Sequence, residues 1–349
     1  MQAPTRDPSP ALHQLLDQSL VFPPEYGAGL SSHLPMALAA LDGLGADETR
    51  LRSFFASYVS RFHGRMAPAA ATPLTDWSAQ RGQFAMFAPL QAGFASALAG
   101  QGRDAVLREA LPLLVTGVGA AAFHGVIRTA HAVESQHDSE LAAALAYWAA
   151  CWMALPAPEA AGPPIEGVAA WLDTIDAQFL QHGAGQRSGA GLISDRMQLM
   201  AGTATYRSWA GRLHTAGRDP GELLHELALA AAARYAATRN FTVLHMATGA
   251  RAARVLAPWL PAGDGALLPL WHAVAAASMA SDVAHVLAVA APRAASGGAA
   301  PDWPELRARA CASDDEHVIK LVHAMVVQDA VDPHPVWRLA AAAAAATEV

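Results

Sequence analysis

Scarcity marks this chain of 349 residues. Its 23 lysines and arginines include a single lysine, Lys320, and they are scattered among 30 acidic side chains for a net charge of −7. With no basic run to neutralise phosphates, a nucleic-acid interface and an anionic-membrane surface are both excluded. Two cysteines, Cys151 and Cys311, make no disulfide framework in a chain this long. No C-x-x-C pair offers a thiolate metal site either, so a reducing, cytoplasmic setting fits. The N-terminus, MQAPTRDPSPALHQLL, lacks the basic-then-apolar pattern of a secretory leader. The longest weakly charged runs, such as LPLLVTGVGAAAFHGVI, are rich in alanine and glycine and broken by histidine, and so read as buried helices rather than membrane spans. Asn-Gly or Asp-Gly turns between alternating apolar segments are missing too, and no hairpin is expected. A small-molecule partner is what remains.

What is present is alanine and helical period. At 53% hydrophobic and 15% charged the chain can bury a large core, and much of its apolar content is the best helix former. Apolar residues recur at helical spacing over 34–44, 47–64, 79–99, 103–116, 120–135, 138–154, 165–182, 193–214, 220–238, 241–258, 264–291, 303–312, 314–329 and 335–347. Start signals support several of these: Asp47, Asp219 with Pro220, and Ser32 before His33 and Pro35 place capping residues and first-turn prolines where helices begin. The expectation is an all-α fold, a single large helical domain of about a dozen or more helices over residues 25–349, after an N-terminal extension, 1–24. Breaks at 66–74, 155–165, 183–192 and 293–304 read as loops or lids.

Motifs for familiar chemistry are few. GVGAAA at 117–122, with Asp138 downstream, matches a loose dinucleotide pattern, but its flanks read as helix where that fingerprint needs a strand. There is no phosphate-binding G-x-x-x-x-G-K-[ST], no H-E-x-x-H and no G-x-S-x-G. Histidine is generous, at fifteen. His245 in FTVLHMATGARAARVL shares a helix face with Phe241, Gly249, Ala252 and Leu256, where small neighbours leave room for an imidazole. His124, Arg128, His131 and Ser135 form a polar stripe, either a solvated face or the wall of an internal site. Lys320 follows His317 by three residues, about 60° round a helix. Ser313 and Glu316 fit a capping box that would start this helix at Asp314. A lone ammonium on its apolar face is costly. It can pair with Glu316, reach solvent, or add carbon dioxide to become a carbamate, a metal ligand that arginine cannot provide.

The segments SHLPMALAALDGLGA, HGVIRTAHAVES, FTVLHMATGARAAR and DDEHVIKLV, in that order, resemble the questin oxidase-like family over roughly residues 25 to 345. The resemblance implies an all-helical protein with a buried mononuclear non-haem iron, Fe(II). Its ligands would be His33, His124, His245 and His317 with carbamylated Lys320, and His131 or His285 in reserve. It further implies an O2-dependent mono- or dioxygenase acting on a hydroxylated aromatic or quinone, anthraquinone-like, by oxidative C–C cleavage or Baeyer–Villiger-type insertion, with NADPH as an optional co-substrate. Arg128 is expected to steer a phenolate or carboxylate, and Glu134 or Glu316 to orient an imidazole. The alternative from another class is a helical small-molecule binding protein whose histidines are structural or hold an inert zinc.

Overall fold

Side-chain caps set the helix boundaries. Asp47, Asp219, Asn240, Asp302 and Asp315 each accept a hydrogen bond from a backbone N–H in the first turn of the helix that follows. The computed structural model describes residues 7–67, 71–74, 76–159, 162–182, 189, 191–263, 265–289 and 300–346. Seventeen α-helices run through them. The first seven are α1 (Pro10–Ser19), α2 (Leu34–Leu44), α3 (Glu48–Val59), α4 (Phe87–Gln101), α5 (Arg103–Leu114), α6 (His124–Glu134) and α7 (Asp138–Ala150). Then come α8 (Val168–His182), α9 (Ile193–Ala201), α10 (Ala204–Trp209), α11 (Pro220–Thr238), α12 (Phe241–Leu256) and α13 (Leu268–Ala280). The last four are α14 (Val283–Val289), α15 (Trp303–Ala312), α16 (Glu316–Val331) and α17 (Pro335–Ala345). The fold is all-α, as expected, and no described helix is long and apolar enough to cross a membrane.

Four of these helices form a closed inner ring. α2 packs on α6, α6 on α12, α12 on α16, and α16 back on α2. Burial is continuous from Thr242 to Ala253 in α12 and from Val318 to Val326 in α16, so these helices are covered on all sides. α11 and α17 cover the ring on one side, and α7 joins it to α4 on another. Small residues permit the close approaches. A Cβ at Gly125 of α6 would lie 2.6 Å from the Trp148 indole of α7, so only glycine fits there.

Several expectations are corrected. The stretch assigned to an N-terminal extension contains α1, opened by Ser9 and Pro10, and its Leu12, Leu15 and Leu16 are buried where it packs on α2 and α3. A short hairpin does exist: β1 (Glu25–Tyr26) pairs antiparallel with β2 (Leu30–Ser31), turning through Gly27 and Gly29, both at positive φ. The run 193–214 breaks into α9, α10 and a 3-10 turn, and 264–291 breaks between α13 and α14, where Asp282 is left-handed at φ 55°. No described strand flanks GVGAAA, and Gly117 there instead makes room for Trp152. Ser32 does not cap α2, whose N-cap is His33 without a side-chain bond. The Ser313–Glu316 capping box is absent: Asp315 caps α16 through the His317 N–H at 2.8 Å, which leaves Glu316 free of that role. Most of the expected loops 183–192 and 293–304, and parts of 66–74 and 155–165, lie outside the described residues.

Because α1 belongs to the core, Leu16→Ala, at a fully buried position, is expected to cost about 2–5 kcal/mol of stability, the usual range for buried leucine truncation. Urea unfolding measures it, and a loss indistinguishable from zero would return α1 to the status of an appendage.

Candidate metal centre

The N-terminal ends of the four ring helices converge. His33 is the N-cap of α2, His124 the first residue of α6, His245 the fifth of α12 and His317 the second of α16. Their rings meet. His33 stacks on His124 with centroids 4.5 Å apart, and His317 stands edge-on to His33 at 4.7 Å. His124 and His245 are 4.9 Å apart, and His245 and His317 5.6 Å. Lys320 completes the group, its Nζ 3.2 Å from His33 Nδ1. All five side chains proposed as ligands thus lie together.

Three of the rings are pinned in the same way. His124 Nδ1 lies 2.5 Å from the Ala121 carbonyl oxygen, His245 Nδ1 2.8 Å from that of Phe241, and His317 Nδ1 3.1 Å from Asp315 Oδ1. Each contact fixes the ring proton on Nδ1 and leaves the Nε2 lone pair as the donor, the arrangement by which metal-binding histidines are oriented. His124 Nε2 and His317 Nε2 are buried with no hydrogen-bond partner among the described residues. That donor set fits a divalent cation. A second, overlapping group is also compact: the candidate ligand atoms of His33, Glu316 and His317 lie within 4.8 Å of one another.

Burial keeps the imidazoles of the cluster uncharged. Burial first, then the neighbouring cations and imidazoles, holds His33, His124 and His245 well below the ordinary histidine value of 6.5, and burial lowers His317 as well. The positive ends of four helix dipoles act in the same direction. Burial also brings Lys320 down to about 8, partly opposed by Glu316 and Asp315. Glu316 is not its ion-pair partner. Its Oε1 instead accepts from Arg61 Nη1 at 2.7 Å and lies 3.5 Å from His33 Nδ1. Arg61 and the His317 field hold the Glu316 carboxyl below the usual carboxylate value despite its burial.

A strained turn delivers His124. Ala121, Ala122 and Phe123 are consecutive left-handed residues at φ 45°, 55° and 67°, a conformation that costs non-glycine residues roughly 1–2 kcal/mol each. The turn presents the Ala121 carbonyl to His124 Nδ1 and puts Ala121 and Ala122 on the cavity wall. Phe123, buried at its end, packs on Gly249, where a Cβ would come within 3.2 Å of its ring. Gly249 thus makes room for Phe123 rather than for His245.

The polar stripe of α6 is internal, since His124, Arg128, His131 and Ser135 are all buried. Its members serve different places. Arg128, expected to steer a substrate, is held by Glu140 in a buried two-point ion pair at 2.6 and 2.9 Å, and does not line the cavity. Glu134, expected to orient an imidazole at the site, pairs with Arg251 instead, with His131 Nδ1 4.0 Å from its other oxygen. His131 sits beside His323, ring centroids 5.5 Å apart, and His285 rests on Phe179, so neither reserve ligand joins the cluster. Above the four histidines lies a cavity of about 340 Å³, walled by Tyr26, Leu30, Leu192, Ile193 and Phe241, with Arg196 on its lining. Its volume is in the range of small-molecule sites. Arg196 and the Glu316–Arg61 pair were missed in the sequence. No spacing signal marks Arg196 or Arg61, whereas Glu316, expected to orient an imidazole, does lie beside His33.

A profile of the family described as questin oxidase-like matches residues 30–325, and the chain belongs to that family. The class of chemistry this implies is oxidoreduction. No curated protein matches the chain.

Two outcomes follow from the geometry. The histidines bind protons less readily folded than unfolded, so the unfolded chain holds more protons below about pH 6.5 and stability must fall as pH drops through that value. Urea unfolding of metal-free protein between pH 8 and pH 5 should show this loss, and a flat profile would mean the rings are not buried neutral. Ala122→Gly removes one left-handed penalty of about 1–2 kcal/mol against an entropic cost of about 0.5–1 kcal/mol, so it should be neutral or stabilising. Denaturation midpoints measure it, and a loss above about 1 kcal/mol, the scale of glycine's own cost, contradicts strain at that turn.

Proposed function

We propose that this member of the questin oxidase-like family is a non-haem iron-dependent oxygenase. It would act with O2 on a hydroxylated aromatic or quinone substrate, by oxidative C–C cleavage or Baeyer–Villiger-type insertion. The observation that supports this most is the trio of imidazoles pinned at Nδ1, with two buried Nε2 atoms lacking any partner among the described residues. His33, His124, His245 and His317 would hold the metal, with a carboxylated Lys320 as an anionic oxygen donor. When bound, ferrous iron supplies the one-electron chemistry that triplet O2 needs to react with a closed-shell organic molecule.

The protein's own groups carry the rest. A charged ammonium 3.2 Å from His33 Nδ1 would repel a divalent cation, so Lys320 must be neutral or anionic when metal is present. With its pKa near 8, a usable fraction of neutral amine exists at neutral pH. That amine attacks carbon dioxide: the N–C bond forms, one N–H proton leaves to solvent, and the carbamate anion results. Its negative charge is favoured by the four helix N-termini that meet there. Glu316, held by Arg61, adds a second anionic group beside His33 and so offsets more of the cation's charge. Phe241, Leu192 and Ile193 supply apolar walls for a flat ring, and Arg196, held by the Ala280 carbonyl and Thr242, would lend positive charge to that wall. Soluble NADPH as co-substrate would supply the two electrons that insertion requires, whereas dioxygenase cleavage requires none.

The test is metal content, then oxygen uptake. Wild-type protein reconstituted with ferrous iron should retain one ion per chain. Lys320→Arg and His317→Ala should each weaken retention by roughly 10–100-fold or more, the scale on which loss of groups supporting a metal site is felt. Full iron content in Lys320→Arg removes the lysine from the site. Iron-loaded protein should consume O2 with some member of a panel of polyhydroxylated aromatics, and zinc-loaded protein should not. Tight zinc, no iron and no uptake would favour the binding-protein alternative.

A further inference from the structure

At the opposite end of α12 from His245 lies a larger cavity, about 630 Å³, that plays no part in the reading above. Arg251, in the last turns of α12, is only 3% exposed. One amino group of its guanidinium bonds Glu134, while Nε and Nη1 have no hydrogen-bond partner among the described residues. Arg254, one turn on, lines the same cavity and forms no ion pair among the described residues, giving Nη1 to Gln328 Oε1 at 2.5 Å. Gln328 is 1% exposed, and its Nε2 is likewise without a partner. The remaining wall is mixed: Glu134, tied to Arg251, and Asp104, tied to Trp259 Nε1, line it along with the apolar Val255, Val331 and Trp259. The three unmet N–H positions, themselves without exposed surface, thus belong to residues that line one space beside a second arginine. A buried guanidinium left so incompletely bonded is costly unless an acceptor completes it.

We propose that this cavity is a binding site for a small organic anion. A carboxylate or phosphate head would bond the Arg254 guanidinium on the cavity wall and, once the side chains part around it, the unmet N–H groups of Arg251 and Gln328, with an apolar body against Val255, Val331 and Trp259. Arginine's planar fork suits either oxyanion. A lone inorganic ion would leave most of the volume and its apolar wall unfilled.

Phenylacetate, phenyl phosphate, inorganic phosphate and neutral benzyl alcohol are the probes, titrated calorimetrically into the full chain. At least one of the two aromatic anions should bind saturably, one per chain. Whichever binds identifies the head. Inorganic phosphate and benzyl alcohol should bind about tenfold more weakly or not at all, since each lacks half of the contact. Arg254→Gln, at a partly exposed position that leaves the Arg251–Glu134 pair intact, should weaken the aromatic anion by about tenfold, and Val331→Trp should block it by filling the cavity. His124→Ala should leave it unchanged, which separates this cavity from the histidine cluster. No binding by either aromatic anion, or binding untouched by Arg254→Gln and Val331→Trp, or binding lost in His124→Ala, overturns the assignment. None of these readouts depends on metal or on turnover.

Discussion

Everything near the histidines depends on four helix N-termini meeting in one buried place. Each end presents the positive pole of its dipole, so a protonated imidazole or an ammonium is disfavoured there and an anion is favoured. The first-turn position also supplies the tethers: Phe241 precedes His245 by one turn of α12, and Asp315 caps α16 beside His317. The device that ends a helix cleanly is thus the device that fixes an imidazole tautomer. Asp315 shows this most directly, since one carboxylate oxygen takes both the backbone N–H and Nδ1 of His317.

Convergence of this kind has a structural cost, and the left-handed turn before α6 is where it is met. A regular helix through AAAF would carry His124 away from the ring's open end. Three left-handed residues bend the chain instead, and the strain persists because Phe123 is locked against Gly249 and α6 is clamped by Trp148 over Gly125. Tertiary packing overrides local preference, since alanine pays a penalty at positive φ and is the best helix former.

This explains what the sequence showed and what it hid. All the helices but α1 fell on the expected segments, twelve of them one to one, because alanine-rich segments carry a strong 3.6-residue period between clear punctuation. α1 was passed over although Ser9-Pro10 is the same start signal as Asp219-Pro220. The break at Asp282 and the turn at Ala121–Phe123 carry no glycine or proline, so nothing local announces them. Of the site, His317 and Lys320 could be paired by helical spacing alone. His33, His124 and His245 come from helices far apart in sequence, and only family resemblance grouped them with Lys320 before the fold brought the rings together. Arg128 looked functional because a buried stripe and a solvated one read alike in sequence. Its partner Glu140, twelve residues on in the next helix, cannot be seen from periodicity.

The lone lysine shows how placement changes the chemistry open to a residue. On sequence, Glu316 looked like its partner or a rival cap. In the fold Asp315 does the capping and Arg61 takes Glu316, so no carboxylate lies within ion-pairing distance of Lys320 among the described residues. Of the three states open to it, the solvent-reaching one is closed by 1% exposure and the paired one by Arg61. What is left is an amine whose charge is opposed by burial and by four helix poles, three residues from His317 and in contact with His33. An arginine there would keep its charge under all of those pressures, because its guanidinium does not deprotonate in a protein. Only lysine can give up that charge, and only a neutral amine can then acquire the opposite one.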